Sequence, residues 1–154
     1  MTKRFYITGD RSAHPLTAVQ VVAATLANLA MENKGEPFAI VTGNAPTGIE
    51  SAVRYLVPKQ ACKVFERELN AEGKVDFDTQ HILIKDDVDE VVFLHTDPLG
   101  STVGKSVAKI FDADKVRYPF QEAVAKKAEV KVPTLEEFDA ETKPETPKAE
   151  TEES

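Results

Sequence analysis

With 154 residues, 42% of them hydrophobic and 29% charged, the chain suits one soluble globular domain with room for a core. Its net charge of -7 is uneven: nine acids and three lysines lie between Glu129 and Ser154, so the body is close to neutral and lacks the basic footprint of a nucleic-acid binder. The single cysteine, Cys62, excludes an internal disulfide, and no apolar run approaches the length of a membrane span.

Lys3 to Thr8 reads as a first strand closed by Gly9-Asp10. The opening MTKRFYITGD lacks the apolar core of a signal peptide, so a cytoplasmic protein, or one made in a host cytoplasm, is expected. Pro15 to Met31 carries Leu16, Val19, Val22, Ala23, Leu26, Leu29 and Ala30 at helical spacing, a stripe wide enough to predict a well-buried helix. A second strand, Phe38 to Val41, runs into Thr42-Gly43-Asn44 and then a helix with Ile49, Val53 and Leu56 on its apolar face. Cys62 to Glu68 reads as a weaker strand, Phe77 to Asp87 as a helix with Phe77, His81, Ile84 and Val88 on one side, and Glu90 to His95 as a buried strand. Thr102 to Phe111 is a further amphipathic helix, and a short strand near Lys115 to Tyr118 and a helix near Phe120 to Lys127 close the pattern.

Strands alternating with helices predict an α/β, Rossmann-like parallel sheet of four or five strands with helices on both faces. The domain is expected over residues 1–128. Residues 129–154 form an acidic tail, rich in Glu, Thr, Lys and Pro, with too few apolar residues to offset its chain entropy. The tail reads as a solvated segment or as a docking arm for a basic partner.

Three strands end in small polar loops, Thr8 to Ser12, Thr42 to Thr47 and Thr96 to Ser101, and in parallel sheets ligands sit at such ends. The turn from Gly43 to Gly48 leads into a helix whose positive dipole end attracts phosphate. Asp10 either caps its turn or holds a sugar hydroxyl, and Arg11 is either an exposed turn residue or a phosphate partner. Gly100 to Ser106, GSTVGKS, misses the P-loop spacing by one residue, because the required first glycine falls on Leu99. No G-x-G-x-x-G follows the first strand, and His14, His81, His95 and Cys62 have no zinc spacing, so neither a nicotinamide cofactor nor a metal is expected.

Taken together, the loops resemble the LOG/SLOG group of Rossmann-like proteins, which includes cytokinin-activating phosphoribohydrolases and proteins once labelled lysine decarboxylases. The resemblance covers roughly Arg4 to Tyr118. It rests on Gly9-Asp10-Arg11-Ser12, on Gly43-Asn44-Ala45-Pro46-Thr47-Gly48-Ile49-Glu50 against a G-G-G-x-x-G-L-M loop, and on Gly100-Ser101-Thr102 against a later G-T element. The hydrolases of the group carry a catalytic glutamate three residues after that threonine, where this chain has Lys105. Gln80 and His81 stand where they have an Arg-Lys pair. The resemblance therefore implies a nucleotide pocket without the hydrolase chemistry, and so no catalytic residue. The ligand-binding set it implies is Gly9, Asp10, Arg11, Ser12, Gly43, Asn44, Thr47, Gly48, Glu50, Thr96, Asp97, Gly100, Ser101 and Thr102. Phage and defence members of the group make a sensing or sequestering role the expected one, and a homo-oligomer, most simply a dimer, the expected state. The rival expectations are a divergent N-glycosidase using Glu50 or Asp97, and an adaptor working through its tail.

Overall fold

A computed structural model describes residues 2–120, and the expected tail and most of the expected helix near Phe120 to Lys127 lie outside the described residues. Five strands, β1 (Lys3–Gly9), β2 (Phe38–Gly43), β3 (Cys62–Phe65), β4 (Glu90–Leu94) and β5 (Val116–Arg117), form one sheet. Their order is β3-β2-β1-β4-β5, and every pairing is parallel. The helices are α1 (Pro15–Glu32), α2 (Gly48–Leu56), α3 (Phe77–Lys85) and α4 (Thr102–Ile110). The expected α/β class and parallel sheet are thus observed.

The central strands are apolar almost throughout because both faces of the sheet are covered. Tyr6, Val41, Val91 and Phe93 point to one face, where Ile84 of α3 and Val103 and Val107 of α4 pack on them with Phe111. Strand alternation sends Phe5, Ile7, Ile40, Val92 and Leu94, all buried, to the other face, which α1 and α2 cover with Ala18, Val22, Leu29, Ile49 and Val53. Helix starts are capped locally. Asp76 accepts from the Thr79 amide at 3.1 Å to open α3, and Ser101 accepts from the Gly104 amide at 3.0 Å to open α4.

Two expectations are corrected. The third strand stops at Phe65 rather than Glu68, because its partner β2 ends at Gly43, which is paired with Phe65, and nothing remains to continue the ladder. Helix α1 is not well buried: only Ala18, Val22 and Leu29 are fully covered, while Leu16 is 62% and Met31 75% exposed. The wide apolar stripe of α1 covers the sheet with one edge and faces outward with the rest.

Candidate functional site

The chain winds outward from β1 through β2 to β3, then crosses to β4 on the other side of β1. The carboxyl ends of β1 and β4 therefore diverge into separate loops at the one point where the winding reverses, the usual ligand position in an open α/β sheet. A cavity of about 290 Å³ opens there. It is lined by Gly9, Asp10, Arg11 and Ser12 after β1, His95 after β4, Ser101, Thr102 and Val103 at the start of α4, and Phe77 of α3.

Six residues singled out from the sequence share this cavity: Gly9, Asp10, Arg11, Ser12, Ser101 and Thr102. Asp10 Oδ1 accepts from the Ser12 amide at 2.8 Å and the Ser12 hydroxyl at 2.7 Å, which fixes the turn. Partial burial works to raise the Asp10 pKa, but these two bonds and the nearby His95 outweigh it and hold the carboxyl below its ordinary value. The Arg11 guanidinium lies over the Phe77 ring, 5.5 Å from its centroid. That contact leaves its N–H fork free for an anion. His95 stacks on Phe93, with ring centroids 5.9 Å apart, and its Nδ1 accepts from the Asp97 amide at 2.9 Å. His95 and Phe77 were not placed in the ligand set from sequence; His95 at a strand end was the available signal, and only the fold brings Phe77 here.

The second loop lies elsewhere. Gly43, Asn44, Thr47, Gly48 and Glu50 do not line the cavity, and several of the turn's donors are engaged within the chain. The Ile49 amide donates to the Asp10 carbonyl at 3.0 Å, and the Thr47 hydroxyl to the Arg11 carbonyl at 2.7 Å. Glu50 is 6% exposed, and its carboxylate accepts from the Ala45 amide at 3.0 Å and the Thr8 hydroxyl at 2.7 Å. Arg54 donates to the carbonyls of Gly43 and Ala45, and Asn44 to Glu66. This turn is a brace holding the Asp10-Arg11 segment from behind. Glu50→Gln would keep one acceptor for the Ala45 amide and turn its N–H₂ toward the Thr8 hydroxyl, whose proton then loses its acceptor. We expect it to lower unfolding free energy by about 1–3 kcal/mol in urea titration, with the fold retained.

Thr96, Asp97 and Gly100 sit beside the cavity in the β4–α4 loop, outside its lining. The Gly100 amide closes the turn by donating to the Asp97 carbonyl at 3.1 Å. The Gly-Lys-Ser run has a structural explanation as well. A side chain at Gly104 would collide with the Pro98 carbonyl, Lys105 is exposed, and Ser106 is buried in a polar chain. In that chain Tyr6 Oη lies 3.2 Å from His81 Nε2, His81 Nδ1 lies 2.8 Å from Ser106 Oγ, and Ser106 donates to Asp78 at 2.6 Å. Lys109 pairs with the other Asp78 oxygen at 2.7 Å. A groove of about 410 Å³ borders this cluster and shares Phe77 and Thr102 with the cavity.

Among the described residues no His, Cys, Asp and Glu cluster could hold a metal ion, and no helix is long and apolar enough to cross a membrane. Comparison with family models, curated proteins and solved structures gives no match.

Proposed function

We propose that the chain binds a phosphate-bearing small molecule of nucleotide type in the cavity between the ends of β1 and β4. One observation carries this reading: the cavity at the winding reversal joins Arg11, free to form a bidentate contact, to Ser101 and Thr102 at the opening of α4. The helix opening supplies partial positive charge, the Thr102 hydroxyl supplies a donor, and the arginine supplies a full charge for the phosphate, while the Ser101 hydroxyl donates to the Pro98 carbonyl and caps α4. Asp10 then faces the sugar, with Oδ2 available while Oδ1 is held by Ser12. At about 290 Å³ the cavity stands at the lower end of the size range for small-molecule sites, roughly 300–1,000 Å³, which favours a mononucleotide over a dinucleotide. Asp10 is the one carboxylate among the described lining residues and is already committed to its turn, so binding is favoured over glycosidic cleavage.

Isothermal titration with nucleoside monophosphates, the matching nucleosides and inorganic phosphate tests this. A monophosphate should bind, its nucleoside should bind at least about 10-fold more weakly, and Arg11→Ala should weaken the monophosphate about 10-fold. A broad nucleotide set that shows no binding at millimolar concentration sinks the proposal.

A further inference from the structure

The cavity does not end at Phe77 and Thr102. Both residues also line the groove of about 410 Å³ beside α3 and α4, so the two spaces meet at this rim. The acids of the groove are engaged within the chain. Asp76 accepts from the Thr79 amide at 3.1 Å and the Thr79 hydroxyl at 2.9 Å, and Asp78 accepts from Ser106 at 2.6 Å and Lys109 at 2.7 Å. Two of its donors are not. Asn70 Oδ1 accepts from the amides of Glu72 and Lys74, at 2.8 and 3.0 Å, which fixes the side-chain amide and leaves its N–H₂ without an acceptor among the described residues. Lys105 also lines the groove and makes no ion pair among the described residues. It follows Thr102 by three positions in α4, so the two Cβ atoms share a helix face at roughly 5–6 Å, and the long lysine stem carries its charge onward from the rim.

We propose that Lys105 and Asn70 form a second phosphate subsite, and that the ligand is one nucleoside carrying two phosphate groups. This rests on the nucleotide reading of the neighbouring cavity and adds the ligand's class to it. A first phosphate held by Arg11 and Thr102 sits at the rim. Beyond the rim the chain offers a full positive charge and a neutral N–H₂ donor, and every carboxylate oxygen there already holds a hydrogen bond. An anionic acceptor satisfies both donors, whereas a sugar or a base edge would leave the lysine charge unmatched. The two acids do not cancel the subsite. Asp78 is paired with Lys109, and Asp76 caps α3, where the positive end of the helix dipole offsets part of its charge. The Gly-Lys-Ser run thus sets a lysine beside a phosphate along a helix face, without the wrapped loop that its spacing rules out. The second phosphate has two possible sources of the same chemistry: a 5′-diphosphate, or a separate phosphate on the sugar.

Isothermal titration of the full chain tests this, at about pH 7.5, where phosphate monoesters are largely dianionic, and without divalent cations. The probes are the 5′-monophosphates, 5′-diphosphates and 3′,5′-bisphosphates of adenosine and guanosine. One of the two-phosphate arms should bind at least about 10-fold more tightly than its monophosphate, and the arm that gains identifies the source of the second phosphate. Lys105→Ala should remove that gain while leaving the monophosphate within about twofold, and Lys105→Arg should restore most of it. Asn70→Asp keeps an acceptor for the two turn amides but turns a carboxylate toward the ligand, and it should also reduce the gain. Lys105 and Asn70 are exposed, so these variants should keep the circular dichroism of the fold. Lys115→Ala removes an equal charge just ahead of β5, at the amino end of the sheet, and should leave the gain intact. Monophosphate binding with no gain from either arm overturns the subsite and leaves the nucleotide reading of the cavity standing. A gain that survives Lys105→Ala, or that Lys115→Ala abolishes equally, does the same. Absence of binding by every arm overturns both.

Discussion

Gly48→Ala is expected to destabilise the protein by about 3 kcal/mol or more, while Gly73→Ala, at nearly the same backbone angle, costs only about 1 kcal/mol. Gly48 has φ +77 and Gly73 φ +80, so both pay the left-handed penalty of an L residue. Their surroundings differ. Nothing lies within 4 Å of a Cβ built at Gly73. At Gly48 that atom would run into the Asp10 carbonyl oxygen and stand 2.5 Å from Arg11 Cα. Both neighbours are backbone, so relief requires moving the loop after β1. That movement would stretch the bonds from the Ile49 amide to Asp10 and from the Thr47 hydroxyl to Arg11. Urea titration of the two variants checks the account, and equal losses would refute it. Because the displaced segment carries Asp10 and Arg11, a folded Gly48→Ala protein should also lose nucleotide affinity.

This position shows how far the sequence could be read. Gly48 stood out as a glycine opening a helix after a strand, and a ligand phosphate is the commonest reason for one. Here the close neighbour is the chain's own first loop, a tertiary contact that no local spacing reveals. Glu50 was misplaced for the same reason. An acid in the first turn of a helix ordinarily faces water, and only the pairing of β1 with β2 puts Thr8 within its reach. The strands and helices themselves were legible because their apolar periods are strong and their ends are marked, as at Pro15, Ser101 and Asp76. Strand order was not legible, since it depends on which helices share a face. Once the order is known, the loops after β1 and before α4 converge, and the turn after β2 falls behind them. The error at α1 was of another kind. Counting apolar positions gave the width of the stripe, but a helix that covers a sheet with one edge and leaves the rest exposed can have the same pattern as one that is buried.

Acid should unfold the protein through His81, with about 3 kcal/mol of stability lost between pH 6.5 and 4. The ring is fully buried among Tyr6, Phe77 and Phe111. The facing polar groups are Tyr6 on β1 and Ser106 on α4, with Asp78 on its own helix and Lys109 beyond it. Ser106 gives its proton to Asp78, so His81 Nδ1–H must donate to Ser106, and Nε2 is left to accept from the Tyr6 hydroxyl. All four groups are satisfied only while the imidazole is neutral. Protonation puts an N–H against the Tyr6 hydroxyl and a charge into an aromatic pocket. Burial is the dominant cause and depresses the pKa to about 4, with Asp78 pulling weakly the other way. The ordinary value of 6.5 holds in the unfolded chain, so between 6.5 and 4 the unfolded state binds more protons and stability falls as pH falls. Asp78, Asp87 and Glu90, whose carboxyls sit below their ordinary values, add their losses further down, as pH falls through their own range. Urea titrations at half-unit steps from pH 7.5 to 4.5 read this directly. Wild type should lose stability steadily below 6.5, and His81→Leu, less stable at neutral pH, should show a nearly flat profile across that window. A wild-type profile that is flat to pH 4.5, or a slope that survives in His81→Leu, would place the buried proton acceptor elsewhere.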